Sequence, residues 1–308
     1  MTAEIRVGPA GWDYPDWKGV VYPGGKPKKF DALAYLARYF QTIEINSTFY
    51  GPATEKTAAA WVERVAANPR FRFTAKLWRR FTHERETAFT AADVAQARAA
   101  FDVLAAAGKL GAVLLQFPWS FRNDGVAHEW LGDLFGAFAG LPLVLEVRHA
   151  SWSDPDVLSW LDERGVGLVN VDQPLFGSSL KPAAHATAEV GYVRLHGRNY
   201  RDWFRDKATR DERYDYLYTA DELRPWVARI RDIAARPRTR QVYAVTNNHH
   251  VGKAVVNAEM IEAMLLGSRV SAPPELYARY QAALEPYAVP AAGPPSAPAA
   301  GPPLDGKF

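Results

Sequence analysis

The chain has 308 residues, 48% of them hydrophobic, enough for one large core or two modest ones. It contains no cysteine, which excludes disulfides, thiolate metal sites and a cysteine nucleophile, and its formal net charge of +3 selects no partner by itself. No apolar run approaches a membrane span and the opening MTAEIRVGPAGW lacks a secretory core, so a soluble cytoplasmic protein with no membrane partner is expected.

Residues 5–12 (IRVGPAGW) read as a short strand entering a Gly/Pro turn. Asp31 caps a helix striped by Leu33, Leu36, Ala37 and Phe40. In residues 42–50 (TIEINSTFY), Ile43 and Ile45 alternate with Glu44 and Asn46, the period of a strand. Thr54 opens a helix with Ala58, Trp61, Val62 and Val65 on one face, and residues 71–77 (FRFTAKL) form the third strand. Thr90 caps an alanine-rich helix that runs to about Gly108, and residues 111–117 (GAVLLQF) make a buried strand stopped by Pro118. Trp130, Leu131, Leu134, Phe135 and Phe138 stripe the next helix, before the strand 142–149 (PLVLEVRH). Asp154-Pro155 starts another helix, followed by strands at 167–172 (GLVNVD) and 191–197 (GYVRLHG). A helix through Leu223, Trp226, Val227 and Ile230 leads to strand 240–248 (RQVYAVTNN) and a last helix with Met260, Ile261, Met264 and Leu265.

Eight apolar strands alternating with helices imply a parallel sheet covered on both faces, which predicts a single-domain (β/α)8 TIM barrel over residues 1–285. Residues 173–190 carry no helical pattern, so a loop is expected in place of the sixth helix. The Pro/Ala-rich stretch 286–308 is expected to be disordered.

Reactive groups of such barrels sit at the C-terminal strand ends. Here those positions hold Glu44, Asn46, Lys76, Gln116, Glu146, Arg148, Asp172, Arg194, His196, Asn247 and Asn248. Glu44/Asn46, Thr74/Lys76, Asn170/Asp172 and Arg194/His196 each lie two apart with apolar neighbours between, so they are expected to share the lumen. An isolated buried carboxylate is costly, so Glu44 needs a partner, and Arg194 is expected to pair with Glu44 or Asp172. Glu44, Glu146, Asp172, His196 and Lys76 are the candidate catalytic groups, with Asn46, Tyr50, Gln116, Arg148, Arg194, Asn247 and Asn248 as substrate contacts. Glu146 or Asp172 is the expected base and His196 the acid; Lys76 becomes a Schiff-base amine if its surroundings desolvate it. His83 and His149 are read as packing or surface groups, and His249 and His250 as surface groups or supports behind the site.

No cofactor is assignable. Glu44, Glu146, Asp172 and His196 are donors of the kind that hold Mg²⁺ or Mn²⁺, although Lys76, Arg148 and Arg194 compete for the same carboxylates. The loops HGRNY and NNHHVGKA, with Gly197 and Gly252, are candidate phosphate cradles. The connection 198–219 is long enough for a lid or a binding surface. No P-loop, GxGxxG, GxSxG or HExxH is present.

The segments GWDYPDWKGVVYP (11–23), FQTIEINSTFY (40–50), FRFTAKL followed by Thr82-His83, LLQFP (114–118), LEVRH (145–149), YVRLHGR (192–198), RYDYLYTADEL (213–223) and NNHHVGKAVVNA (247–258) occur in that order. Together they resemble the YecE-like family, domain of unknown function 72, over residues 5–266. The resemblance implies a TIM barrel and no established reaction, with sugar isomerases and endonuclease IV-like barrels as analogies only. The chain departs from the family at GPAGW, where relatives read GTSGW, and at Thr246, where an aromatic is usual. The expectation is an acid–base enzyme for a small polyhydroxylated or phosphorylated substrate. The alternative is a nucleic-acid or nucleotide binding protein, with Lys26, Lys28, Lys29, Trp78, Arg79, Arg80 and the 198–213 loop supplying charge and rings.

Overall fold

A computed structural model describes residues 3–25, 30–203 and 205–292. Its elements are β1 (Glu4–Pro9), α1 (Ala32–Leu36), β2 (Thr42–Ile45), α2 (Glu55–Arg64), β3 (Arg72–Lys76), α3 (Ala91–Ala106), β4 (Leu110–Gln116) and α4 (Gly125–Ala137). They continue with β5 (Leu143–Glu146), α5 (Pro155–Glu163), β6 (Gly167–Asp172), β7 (Val190–Leu195), α6 (Arg210–Arg213), α7 (Ala220–Ala234) and β8 (Gln241–Thr246). Beyond them lie α8 (Lys253–Leu266), β9 (Val270–Ala272), α9 (Pro274–Arg279), α10 (Gln281–Leu284) and β10 (Ala288–Pro290).

The first eight strands are parallel in the order β1-β8-β7-β6-β5-β4-β3-β2, a barrel with β1 and β2 at its seam. The seam closes only at its C-terminal end, where Ala10 bridges Glu44 and the Gly11 amide donates to the Glu44 carbonyl at 2.8 Å. Lower down, the chains touch too closely for a side chain: a Cβ on Gly8 would fall 1.9 Å from the Thr42 carbonyl oxygen.

The helix starts follow the capping residues. Asp31, Thr54, Thr90, Asp124 and Asp154 each accept a backbone N–H in the first turn, and Thr90 with Asp93 completes a capping box. Two separate apolar clusters result. One fills the shell between strands and helices, and the other fills the lumen with Ala10, Ala112, Leu114, Val144, Val169, Val171, Val190, Tyr192, Tyr243 and Val245.

The connection from β6 to β7 holds no helix, as the sequence implies, and Asn170 explains how the loop takes its place. Its amide nitrogen donates to the His185 carbonyl at 2.9 Å while its oxygen accepts the His185 amide at 2.7 Å. Thr187 bonds Val166 and Leu168 in the same manner. The boundary expected at residue 285 falls inside regular structure, because Ala288–Pro290 pairs in parallel with Val270–Ala272 and Ala288 is buried. Residues 293–308 of the expected tail lie outside the described residues.

One core group works against stability. Glu259 on α8 is 1% exposed, and neither carboxylate oxygen has a hydrogen-bond partner among the described residues. Burial, reinforced by Glu262, raises its pKa well above the usual carboxylate value; burial also raises Glu262, to about 7. The folded state therefore binds protons that the unfolded state releases, so stability is full below about pH 4.5 and declines as pH rises toward 7 and beyond. Glu259→Met should raise stability at pH 7–8 by about 1–3 kcal/mol and flatten that decline. Urea denaturation at several pH values checks it; an unchanged slope with pH rejects the reading.

Candidate active site

The lumen face of the strands builds the site from below. Tyr192 donates its hydroxyl to Glu44 Oε2 at 2.9 Å and lies 2.8 Å from Thr74 Oγ1. One residue pair higher, Arg194 grips Glu44 bidentately, Nε to Oε2 at 3.0 Å and Nη2 to Oε1 at 2.6 Å. Its Nη1 donates to Glu146 Oε2 at 2.6 Å. The other Glu146 oxygen accepts from Arg148 Nε and Nη2, at 3.1 and 2.9 Å, and lies 3.2 Å from His196 Nε2. His196 Nδ1 sits 3.0 Å from the Asn247 amide nitrogen. That donor assigns an acceptor to Nδ1, so neutral His196 carries its proton on Nε2, facing Glu146. Arg194, Glu44, Glu146 and His196 are all fully buried.

Charge in this network is fixed. Burial opposes ionisation of Glu146, but Arg194, His196 and Arg148 hold its pKa well below the carboxylate range. Burial likewise opposes the Arg194 charge, and Glu146 and Glu44 outweigh it, leaving the guanidinium pKa above its usual value. Burial takes His196 down to about 3. An ionised acid with both oxygens occupied and a buried neutral imidazole form a rigid frame. The expected assignment of Glu146 as base and His196 as acid does not match these surroundings.

Above the frame opens a cavity of about 390 Å³, lined by Asn46, Phe49, Tyr50, Lys76, Arg79, His83, Gln116, Arg213, Tyr214 and Asn247. Lys76 ends β3, and its Nζ lies 4.2 Å from the centre of the Phe49 ring. Burial, together with the Arg194 charge, lowers its pKa to about 7. Arg213 comes from the 198–219 connection; its Nη2 donates to the Arg205 carbonyl at 3.3 Å, and its Nε is buried without a hydrogen-bond partner among the described residues. The same connection lays Trp203 over His196, ring centres 6.2 Å apart, with the Arg148 guanidinium 5.7 Å from the Trp203 ring. It is a roof over the frame as well as a wall of the cavity. A second cleft of about 470 Å³ adjoins the first through Asn46 and Tyr50, and Trp12, Tyr14 and Trp61 give it an aromatic lining.

Parity therefore brings Glu44, Lys76, Gln116, Glu146, Arg148, Arg194, His196 and Asn247 together, with Asn46 and the 61%-exposed Tyr50 at the rim. It fails for Asp172. On β6 the lumen residues are Val169 and Val171, so Asp172 faces outward, where Arg198 Nε bonds both its oxygens at 3.1 and 3.0 Å. Burial raises the Asp172 pKa, with Arg198, Tyr218 and Trp226 pulling the other way. Arg194 consequently pairs with Glu44 and Glu146 and not with Asp172. Asn248 also points away, donating to the Tyr216 carbonyl and to Asn257 Oδ1 on α8, at 2.7 and 2.8 Å. Thr246 is no cavity wall either, since its hydroxyl donates to the Ala254 carbonyl at 2.8 Å.

The metal set Glu44, Glu146, Asp172 and His196 does not assemble. Arg194 stands between the two glutamates and Asp172 is behind the sheet; no group of three such ligands with metal geometry occurs among the described residues. The phosphate cradle expected near Gly252 meets a carboxylate instead, because the Val251 amide donates to Asp16 Oδ2 at 2.5 Å. His83, read as a packing group, lines the cavity; burial, then Lys76 and Arg79, lower its pKa to about 4. Gln173, next on the lumen parity after Val171, is buried with both amide atoms unpartnered among the described residues, and the sequence reading missed it.

A family profile described as "Protein of unknown function DUF72" matches residues 6–278. The crystal structure of a DUF72 family protein from Thermotoga maritima MSB8 is 30% identical, with a TM-score of 0.74 over 85% of this chain and 99% of that one. A DUF72 family protein from Enterococcus faecalis V583 shares the fold at 24% identity and TM-score 0.74, over 85% and 95% of the two chains. Comparison with curated proteins found no match.

Proposed function

The chain belongs to the DUF72 family, whose description assigns no reaction, and from that premise we propose an acid–base enzyme for a small phosphorylated, polyhydroxylated substrate. One observation carries this reading: the described residues that line the cavity at the barrel mouth include Lys76, Arg79, His83 and Arg213 with three amides, and no carboxylate. Such a lining suits an anion, with the Arg213 Nε and the Arg79 nitrogens not engaged by Glu84 taking phosphate oxygens, and Asn46, Gln116 and Asn247 the hydroxyls. Lys76 is the group whose pKa matches neutral pH, which makes it, in place of Glu146, the group of the site that changes protonation there. Glu146 and His196 act through others: Glu146 orients Arg148, and His196 fixes the amide of Asn247.

The nucleic-acid alternative draws less support. Arg80 is spent on the Glu84 and Ala88 carbonyls, Arg198 on Asp172, and Arg205 on Asp202 and Glu212. Lys26, Lys28 and Lys29 lie outside the described residues.

Calorimetric titration with sugar phosphates and with the same sugars unphosphorylated tests the reading. Phosphate esters should bind and plain sugars bind at least tenfold more weakly. Arg213→Gln should cost about tenfold or more in phosphate-ester affinity, the scale of one charge-assisted hydrogen bond. Equal affinity for both ligand sets would dismiss the anion site.

A further inference from the structure

We infer that Lys76 is a covalent amine, condensing with the carbonyl carbon of a small phosphorylated aldehyde or ketone held in the cavity. This rests on the proposed reading of the cavity as an anion site. Lys76 ends a barrel strand, lines the cavity and lies against the Phe49 ring. Among the described residues its ammonium has neither a hydrogen bond nor an ion pair. The charged groups around it are Glu44 from β2, Glu146 and Arg148 at the end of β5, Arg194 from β7, and His83 and Arg79 after β3. Both carboxylates are already bonded to Arg194, and Glu146 also to Arg148, so neither is left to hold the lysine proton.

A half-buried lysine crowded by cations is one recognised origin of an amine nucleophile near neutral pH. With its pKa drawn down to about 7, Lys76 is unprotonated at neutral pH far more often than an ordinary lysine. In the addition, the nitrogen lone pair forms the C–N bond as the carbonyl π pair moves to oxygen. The oxygen gains a proton and the nitrogen loses one. The carbinolamine then takes a proton from solvent water onto its hydroxyl and loses it as water while the nitrogen pair closes the C=N bond, leaving the imine protonated. Water is the only product released, and no oxidant or reductant is consumed. The protonated imine acidifies the adjacent C–H, which is the chemistry an isomerase or lyase of this substrate class needs.

The full-length protein is incubated at pH 7 with dihydroxyacetone phosphate and sodium borohydride, and the adduct is located by peptide mass spectrometry. One reduced adduct on Lys76 is expected, forming more than about a hundredfold faster than on other lysines. Its rate should rise as pH passes through about 7, and excess inorganic phosphate should slow it. Lys76→Arg keeps the positive charge, so it should still bind inorganic phosphate in the calorimeter yet form no adduct. In the wild type, phosphate binding without an adduct overturns the imine and leaves the anion site standing. Labelling spread over surface lysines, or unchanged in Lys76→Arg, overturns the imine as well. Absence of phosphate binding in the wild type removes the anion reading itself.

Discussion

Arg194→Met should destabilise the protein by about 3–5 kcal/mol at pH 7, enough to unfold much of a marginally stable barrel. The substitution nearly preserves volume and removes three bonds of 2.6–3.0 Å that bind two fully buried carboxylates. What is lost is less the attraction than the compensation: Glu44 and Glu146 would remain buried, charged and adjacent. The pH dependence distinguishes this cause from simple misfit. In the wild type, the low pKa of Glu146 contributes stability present above about pH 4.5 and lost as pH falls below it. Without Arg194 the sign reverses, because the folded state then holds protons that the unfolded state releases. The deficit of Arg194→Met should therefore shrink as pH falls toward 4. Adding Glu44→Gln and Glu146→Gln should recover part of it at pH 7. Denaturant midpoints across pH decide the matter; a deficit that is constant with pH, or absent, rejects the compensation argument.

Much of this frame is legible from parity, and the exceptions have physical reasons. Glu44, Lys76, Gln116, Glu146, Arg194 and His196 lie on strands where only one parity carries polar groups, so the lumen face declares itself. In GLVNVD both parities are compatible with burial: the valines fill the lumen, while Asn170 and Asp172 serve the loop and α7 outside it. Asn247 and Asn248 are neighbours on one strand end, so at most one of them faces inward, and composition does not say which. His83, Arg213 and Tyr214 come from connections, where no periodicity operates. Roles were harder still. The sequence shows that acids and bases converge, but the pairing makes the glutamates anchors of Arg194 and leaves Lys76 as the group free to exchange a proton.

Gly8→Ala should cost about 3 kcal/mol or more, although it adds one methyl to a strand. The reason lies at the seam. β1 and β2 share no ladder at this level, and the Gly8 Cα stands so close to the Thr42 carbonyl that a Cβ would meet its oxygen at 1.9 Å and its Cγ2 at 3.1 Å. Backbone on one side and a closed barrel on the other leave the methyl no flexible neighbour to displace, so the strands must part. Parting them strains the Ala10–Glu44 bridge directly above, and with it the backbone that aims Glu44 at Arg194. Amide exchange at Gly11, whose N–H bonds the Glu44 carbonyl, should accelerate more than exchange on β4 or β5. Gly136→Ala supplies the contrast: that position on α4 has nothing within 4 Å of a new Cβ, so the same methyl should stabilise by about 0.5–1 kcal/mol. Similar effects at both glycines would mean that the seam tolerates a side chain and that the tight approach of β1 to β2 does not govern the site above it.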